Sequence, residues 1–394
     1  MTITWANAFR SQGLAAEPAG RAIPADVAER RANGAAGAPD HIAAPEIRIA
    51  APEIRIKALD SAARSAWDRF VEADPRGTFF HRAGWKEVIE RSFGHDCHFL
   101  QATRDDRITG VLPLVHVSSR LFGNALISAA YGVYGGPLAR DPASLHALNE
   151  AAVRLAGQLD VDYMEYRLRA PSVLPWARNS GLYVTFRKRL AADPETVLRT
   201  VPRKRRAMLR KAQALGLQSE IDGDVRRFYR VYSRRVRDLG TPVYPLAYFR
   251  TLLDVFGADC EVLTVVRRGT PLSSVISFRF RDEVLPYYGG GLDAARRCAA
   301  NDFMYWEVMR RACAEGFQVF DFGRSKLGTG TFAYKSIWGF EPQPLHHEYL
   351  LLRQSEMPNV NPLNPKYALW VALWRRLPLF VANGLGPLIS RGLG

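Results

Sequence analysis

The sequence predicts an α/β or α+β protein of two similar domains, each a mixed sheet flanked by helices. Three observations carry that prediction: an internal repeat, strand-like alternation bounded by turn residues, and a helix in the same place of each half. Asp96-Cys97-His98-Phe99-Leu100 opens a strand pair. Tyr134-Gly135-Gly136-Pro137-Leu138, a helical stretch and the strand Tyr163-Met164-Glu165-Tyr166-Arg167 follow it. The same order returns as Asp259-Cys260-Glu261-Val262-Leu263, Tyr288-Gly289-Gly290-Gly291-Leu292, a helix, and Val319-Phe320-Asp321-Phe322-Gly323-Arg324. Gly135 to Glu165 is 30 residues, and Gly289 to Asp321 is 32. One unit occurs twice.

Taken in order, residues 1–52 are rich in Ala, Pro and Gly with few large side chains to bury. Such a composition does not offset the entropy of ordering, so a flexible leader is expected. AAPEIRI occurs at 43–49 and again at 50–56, the second copy entering the first strand. A first domain over 53–190 and a second over 191–355 follow, then a tail over 356–394. In the second domain Arg267-Arg268-Gly269-Thr270-Pro271 reads as a turn before a strand that alternates through Ile276, Phe278 and Phe280. Asn301 or Asp302 is the expected cap of a helix ending near Gly316. Its apolar side carries Tyr305, Val308, Met309, Ala312 and Cys313.

The chain has 394 residues, enough for two or three domains of ~150. At 47% hydrophobic it is ordinary for a folded protein. Fifty-four Lys and Arg against 39 Asp and Glu leave a net charge of +15, which favours phosphorylated or polyanionic partners or an anionic membrane surface. Four cysteines without CxxC spacing make no disulfide framework and read as reduced thiols. MTITWANAFRSQG has no apolar run of the secretory type, and no stretch of 18 uncharged apolar residues occurs. The expectation is a cytoplasmic protein that touches the inner membrane at most peripherally. In the tail Leu369, Trp370, Leu373, Trp374 and Leu377 share a helical face, suited either to a lipid interface or to a packed contact.

The chemistry-bearing candidates fall in three places. Gly289-Gly290-Gly291 with Arg296 and Arg297 is either a cradle for a pyrophosphate or a turn needing positive φ. The stretch from Asp321 to Phe340 puts a carboxylate at a strand end, then a glycine loop with Arg324, then Lys335 between Tyr334 and Trp338. Lys335 is either a point charge for a phosphate or oxyanion, or a lysine lying along an aromatic patch. Asp321 is either a general base or a brace for Arg324 and its loop. Arg203, Arg206, Arg210 and Lys211 lie on a dense basic run whose apolar partners Met208, Leu209, Ala212 and Leu215 make it a docked helix able to hold phosphates. The eight histidines have no metal-ligand spacing, and His346-His347 sits in a strand-like stretch. No Walker A motif, GxSxG elbow or zinc pattern appears, so no metal is expected and no nucleophile is evident.

On these residues the chain resembles the Fem-type (FemABX) aminoacyl transferases and, more broadly, the GNAT acyltransferases. Within that group it is most similar to the FemAB-related proteins associated with exosortase/PEP-CTERM systems of exopolysaccharide-producing bacteria. The resemblance covers residues 54–355. It rests on the repeat, on RKRRAMLRKAQALGL (203–217), on YYGGGL (287–292) with NDFMYWEVMRRACAEG (301–316), and on DFGRSKLGTGTFAYKSIWGFE (321–341). It implies tandem GNAT-like domains across a cleft, with an acyl donor between two splaying strands and a phosphorylated acceptor opposite. Lys335 matches the lysine of the family's FK-x-x-F/W-G motif, with Tyr334 where Phe is usual. Arg206, Arg210 and Lys211 match its basic helix. The implied donor is an acyl-CoA or an aminoacyl-tRNA, and the implied acceptor an amine of a phosphorylated cell-envelope or exopolysaccharide precursor. No segment is long enough for the charged helical hairpin that tRNA-using members carry. The site expected is Lys335 and Asp321 for catalysis, with Tyr288, Gly289, Gly290, Arg324, Tyr334, Trp338 and the basic helix, Arg203 included, for binding. A tRNA-binding protein without catalysis and a peripheral membrane scaffold are the competing expectations.

Overall fold

The computed structural model describes residues 53–119, 122–358 and 368–394, and the expected leader over 1–52 lies outside them. Each half opens with a hairpin dictated by its turn. Asp96–Arg104 and Arg107–Ser119 are joined by Asp105 and Asp106, while Cys260–Arg267 and Thr270–Phe280 are joined by Arg268 and Gly269. All four turn residues have positive φ, the conformation whose twist matches that of paired strands. A third strand then adds antiparallel, Gly123–Ser128 in one half and Glu283–Gly291 in the other. A fourth returns parallel to it, Tyr163–Leu168 and Val319–Asp321 respectively. Parallel neighbours need a crossover, and the helices Pro142–Gln158 and Ala300–Ala314 supply it. The repeat read from the sequence is this unit. Arg55–Ala58, from the second AAPEIRI copy, pairs with Asp96–Arg104.

The sheets trade strands across the expected boundary. Tyr183–Arg189 pairs with Val319–Asp321, Ser325–Lys326 and Pro342–Pro344 in the second sheet. His346–Leu351 crosses back and lies between Tyr163–Leu168 and Ala177–Asn179 in the first. Tyr183–Arg189, expected in the first domain, thus pairs in the second sheet, and His346–Leu351, expected in the second domain, completes the first. A single aromatic core joins the halves. Phe79 stacks on Phe278 with centroids 4.3 Å apart, and Trp85 stands edge-on to Phe80 and Phe278. The buried Trp85 indole donates to the Ala130 carbonyl at 3.0 Å. Arg281 reaches from the second half to the carbonyls of Asp74 and Gly77, each at 2.7 Å. The space between the sheets is thus framed by packed rings and directional hydrogen bonds.

The tail packs on the body of the protein. Helices Ala368–Trp374 and Leu379–Ser390 lie against helix Arg226–Leu239, burying Trp374 and Ala382. Arg237 donates to the Leu377 carbonyl at 2.8 Å, and Ser390 to that of Val243 at 3.1 Å. Of the expected apolar face, Leu369, Trp370 and Leu373 remain exposed. A Cβ on Gly386 would stand 2.9 Å from the Val243 nitrogen and 3.0 Å from its oxygen. Gly386→Ala is therefore expected to cost about 1–3 kcal/mol by overpacking. The check is a lower urea midpoint with faster amide exchange over 379–390; an unchanged midpoint would show that the tail helix is not seated there. Among the described residues no helix is long and apolar enough to cross a membrane.

Candidate active site

In the second half Glu283–Gly291 and Val319–Asp321 pair only at Glu283–Val319 and Val284–Phe320, and then part. A cavity of about 220 Å³ opens beyond the parting. Tyr287 and Tyr288 line it from one strand, Phe322, Gly323 and Arg324 from the chain leaving the other. Tyr131, Tyr244, Gly394 and Lys335 also line it. Lys335 is carried by the helix Gly330–Ser336, whose first turn is capped by the Thr329 hydroxyl. Its ammonium donates to the carbonyls of Gly323 at 3.0 Å and Arg324 at 3.1 Å. An ammonium has three hydrogens, so one remains for the cavity; the neutral amine would offer a lone pair there instead. Burial pulls the Lys335 pKa down to about 7, with Asp321 opposing and Arg324 assisting. Near neutrality the group stands between donor and acceptor.

Asp321 holds this loop in place. It is fully buried, and one oxygen accepts from the Thr185 hydroxyl at 2.8 Å and the Gly323 amide at 2.7 Å. The other accepts from the Tyr134 hydroxyl and faces the Arg187 guanidinium at 3.2 Å. Arg187 also pairs with Glu283, whose carboxyl is pushed up to about 7 by burial and by the Asp321 charge. Asp321 lines neither this cavity nor the one described next. Its geometry is that of the brace, not of the open base.

A second cavity, of about 240 Å³, lies on the face of the first sheet. Glu165, Arg167, His347 and Tyr349 project into it from neighbouring strands, and Tyr183 and Arg324 face them from the second half. Arg167 donates to Glu165 at 3.0 Å and to the Gly394 carbonyl at 2.9 Å. His347 Nδ1 lies 2.6 Å from Glu165. Burial works against the Glu165 charge, but Arg167 and His347 outweigh it and hold the carboxyl well below its ordinary value. Burial lowers the His347 pKa despite Glu165. Arg324, Leu393 and Gly394 line both cavities, so the two meet there. The Arg324 guanidinium lies 4.7 Å above the Tyr183 ring.

Residues 198–336 match the acetyltransferase (GNAT) domain family, a range that spans the second hairpin, the crossover helix, the parting strands and Lys335. The fold is that of tandem GNAT domains. FemX, at 14% identity, superposes with a TM-score of 0.59 over 80% of this chain and 99% of its own. A conserved protein of unknown function from Bacteroides thetaiotaomicron gives 0.52 at 11% identity, over 76% of this chain and 100% of its own. A tandem GNAT protein from the clavulanic acid biosynthesis pathway gives 0.50 at 13% identity, over 77% and 100%. No curated protein sequence matches the chain.

Of the residues singled out by sequence, Lys335, Tyr288 and Arg324 line the gap between the parting GNAT strands. Gly289, Gly290 and Gly291 form neither loop nor turn; they end a strand, without positive φ. Their lack of a side chain serves packing, since a Cβ on Gly291 would fall 2.0 Å from Asn301 Oδ1 and one on Gly290 3.2 Å from Arg235. Tyr334 and Trp338 lie outside the cavity wall, Tyr334 donating to Asp302 at 3.2 Å and Trp338 buried beside Phe322. Neither Asn301 nor Asp302 caps the GNAT crossover helix, which begins after Ala299 in a left-handed conformation. Asp302 instead pairs with Arg205 at 3.0 Å.

The basic helix, Arg203–Ala214, packs through Leu209 and Ala212 against Ala300–Ala314. Arg203, Arg210 and Lys211 are exposed and Arg206 reaches the Arg199 carbonyl at 3.5 Å. None of the four lines either cavity, so the expected convergence of this helix with Lys335 on one hollow is not found. Sequence reasoning passed over Glu165, Arg167, His347, Tyr131 and Tyr183. The signal available for the first was the repeat, which sets Glu165 opposite Asp321.

Proposed function

We propose that the protein moves an acyl group from a coenzyme A thioester to an amine, the acceptor being a phosphorylated cell-envelope or exopolysaccharide precursor. The observation that carries this reading is the parting of the GNAT strands beside a cavity into which a half-buried lysine has one N–H to give. The thioester carbonyl would enter that gap, and the free Lys335 hydrogen would meet the oxygen as it becomes an oxyanion. Gly323 and Arg324 fix the direction of that hydrogen by taking the other two. Holding donor and acceptor in register supplies roughly 7–11 kcal/mol of the barrier, which suits a site without a nucleophile. Exposed Arg296 and Arg297, after the glycine strand, are available to the donor's phosphates, and Arg324 and Lys326 to those of the acceptor. Thermal-shift titration tests the reading. Acetyl-CoA is expected to raise the melting point with concentration, by the equivalent of about 2.7 kcal/mol at a hundred times its Kd. A shift with charged tRNA and none with any coenzyme A thioester would contradict it.

A peripheral membrane contact is a second part of the proposal, favoured by the tail. Leu369, Phe380 and Leu388 are 82%, 79% and 76% exposed, with Arg375 and Arg376 beside the first helix. Apolar side chains flanked by cations suit an anionic leaflet. The triple change Leu369→Ser, Phe380→Ser, Leu388→Ser is expected to abolish co-sedimentation with phosphatidylglycerol vesicles while leaving the melting point in place. Undiminished co-sedimentation would remove the membrane reading.

A further inference from the structure

An amine reaches neutral solution as an ammonium and must lose a proton to attack, yet Asp321 is walled in by four partners. The second cavity holds a group suited to that task. Strand His346–Leu351 alternates, so His347 and Tyr349 face the cavity with Glu165 and Arg167 beside them. Ionised Glu165 only accepts hydrogen bonds, so His347 Nδ1 is the donor and the ring's lone pair falls on Nε2. That atom has no partner among the described residues although the residue is only 3% exposed. His81, by contrast, uses both nitrogens, with Thr78 and the Gly136 carbonyl, each at 2.8 Å. The Tyr183 ring, 4.9 Å away, fixes the plane of the imidazole. The cavity meets the lysine cavity at Arg324.

We propose that His347, held by Glu165, is the base that takes the proton from the acceptor's nucleophile; this rests on the acyl-transfer reading above. The acceptor it suits is a primary amine with a nearby carbonyl or carboxylate oxygen. Arg167 already binds one such oxygen, that of Gly394, in the same cavity. In the step the amine nitrogen bonds to the thioester carbonyl carbon and the carbon–sulfur bond breaks. The ammonium's first proton leaves through His347 Nε2 to water before attack, and the second passes to His347 Nε2 as the carbon–nitrogen bond forms. The departing thiolate takes a proton from Lys335, and exchange with water resets both groups, releasing one proton net. Amide and free thiol are the products. The titratable and charged groups facing the imidazole are Glu165, Arg167, Tyr163, Tyr183, Tyr349 and Arg324.

The test uses the full chain as wild type and His347→Gln, with acetyl-CoA as donor and a panel of primary amines carrying a carboxylate or phosphate. The variant is expected to lose roughly 10²–10⁴-fold in kcat and the acid limb of its pH profile, while calorimetric acetyl-CoA affinity is unchanged. With hydroxylamine as acceptor, which is already deprotonated at neutral pH, the loss should shrink to less than about tenfold on the same grounds. Wild-type kcat in the variant would overturn the proposal. A second arm needs no turnover: ¹⁵N-imidazole spectra of the wild type, with His347 assigned by difference from the variant. A neutral ring protonated on Nδ1, whose Nε2 signal moves on adding the amines, is expected; an imidazolium at pH 7, or an Nε2 indifferent to every amine, would overturn it. A wild type that transfers acetyl to no amine while the spectra behave as expected would overturn the acyl-transfer reading and the base role with it, leaving His347 as an amine-binding group.

Discussion

Lys335→Met is expected to lower turnover by about 10²–10³-fold, the usual consequence of removing one preorganised oxyanion donor. Methionine keeps the length of the side chain and its apolar stem, so the cavity keeps its shape and acetyl-CoA its affinity. The folded protein should not suffer at neutral pH, because burying an amine is itself costly. The pH dependence gives an independent signature. The lysine pKa is about 7 in the folded state against an ordinary 10.5, so between these values the unfolded chain holds a proton that the folded one has lost. Stability contributed through this group therefore rises with pH across that window, by up to about 1.4 kcal/mol per unit, and is independent of pH below it. Urea midpoints at pH 7 and pH 9 should climb more for the wild type than for Lys335→Met. Equal climbs would show that the amine is not buried, and undiminished turnover would remove it from the chemistry.

Asp321→Ala is expected to be the more damaging change for the fold, at about 3–5 kcal/mol. It strips a buried acceptor from the Thr185 and Tyr134 hydroxyls and the Gly323 amide, and leaves Arg187 with only Glu283. It also loosens the junction of the halves, since Tyr134 belongs to one and Asp321 to the other. The loop bearing Gly323 and Arg324 loses its anchor, so Lys335 loses the carbonyls that aim it. Activity and stability should fall together, and Asp321→Asn should also be markedly destabilised because an amide cannot accept all of these bonds. A stable, inactive Asp321→Asn would instead restore the aspartate as a base.

The repeat was legible because its unit is local: a hairpin turn, a glycine-bearing strand, a crossover helix and an acid-bearing strand recur at nearly equal spacing. Gly269 and Gly316 announced their turn and helix end through a residue at home at positive φ. The strand exchange was not legible. His346–Leu351 and Tyr183–Arg189 both read as strands, but nothing local tells which sheet each completes, and their partners lie far along the chain. Lys335 could be found from its setting among aromatics on a glycine loop. His347 could not be found by metal spacing, because its meaning depends on a carboxylate 182 residues away. The basic helix drew attention by charge density, yet Arg203, Arg210 and Lys211 face solvent and its apolar side does the docking.

The most direct measurement is a crystal structure of the full chain with a non-hydrolysable coenzyme A thioether. The account predicts the carbonyl analogue between the parting strands, its oxygen within about 3 Å of the Lys335 nitrogen. A thioether bound away from that gap, with Lys335 untouched, would contradict it.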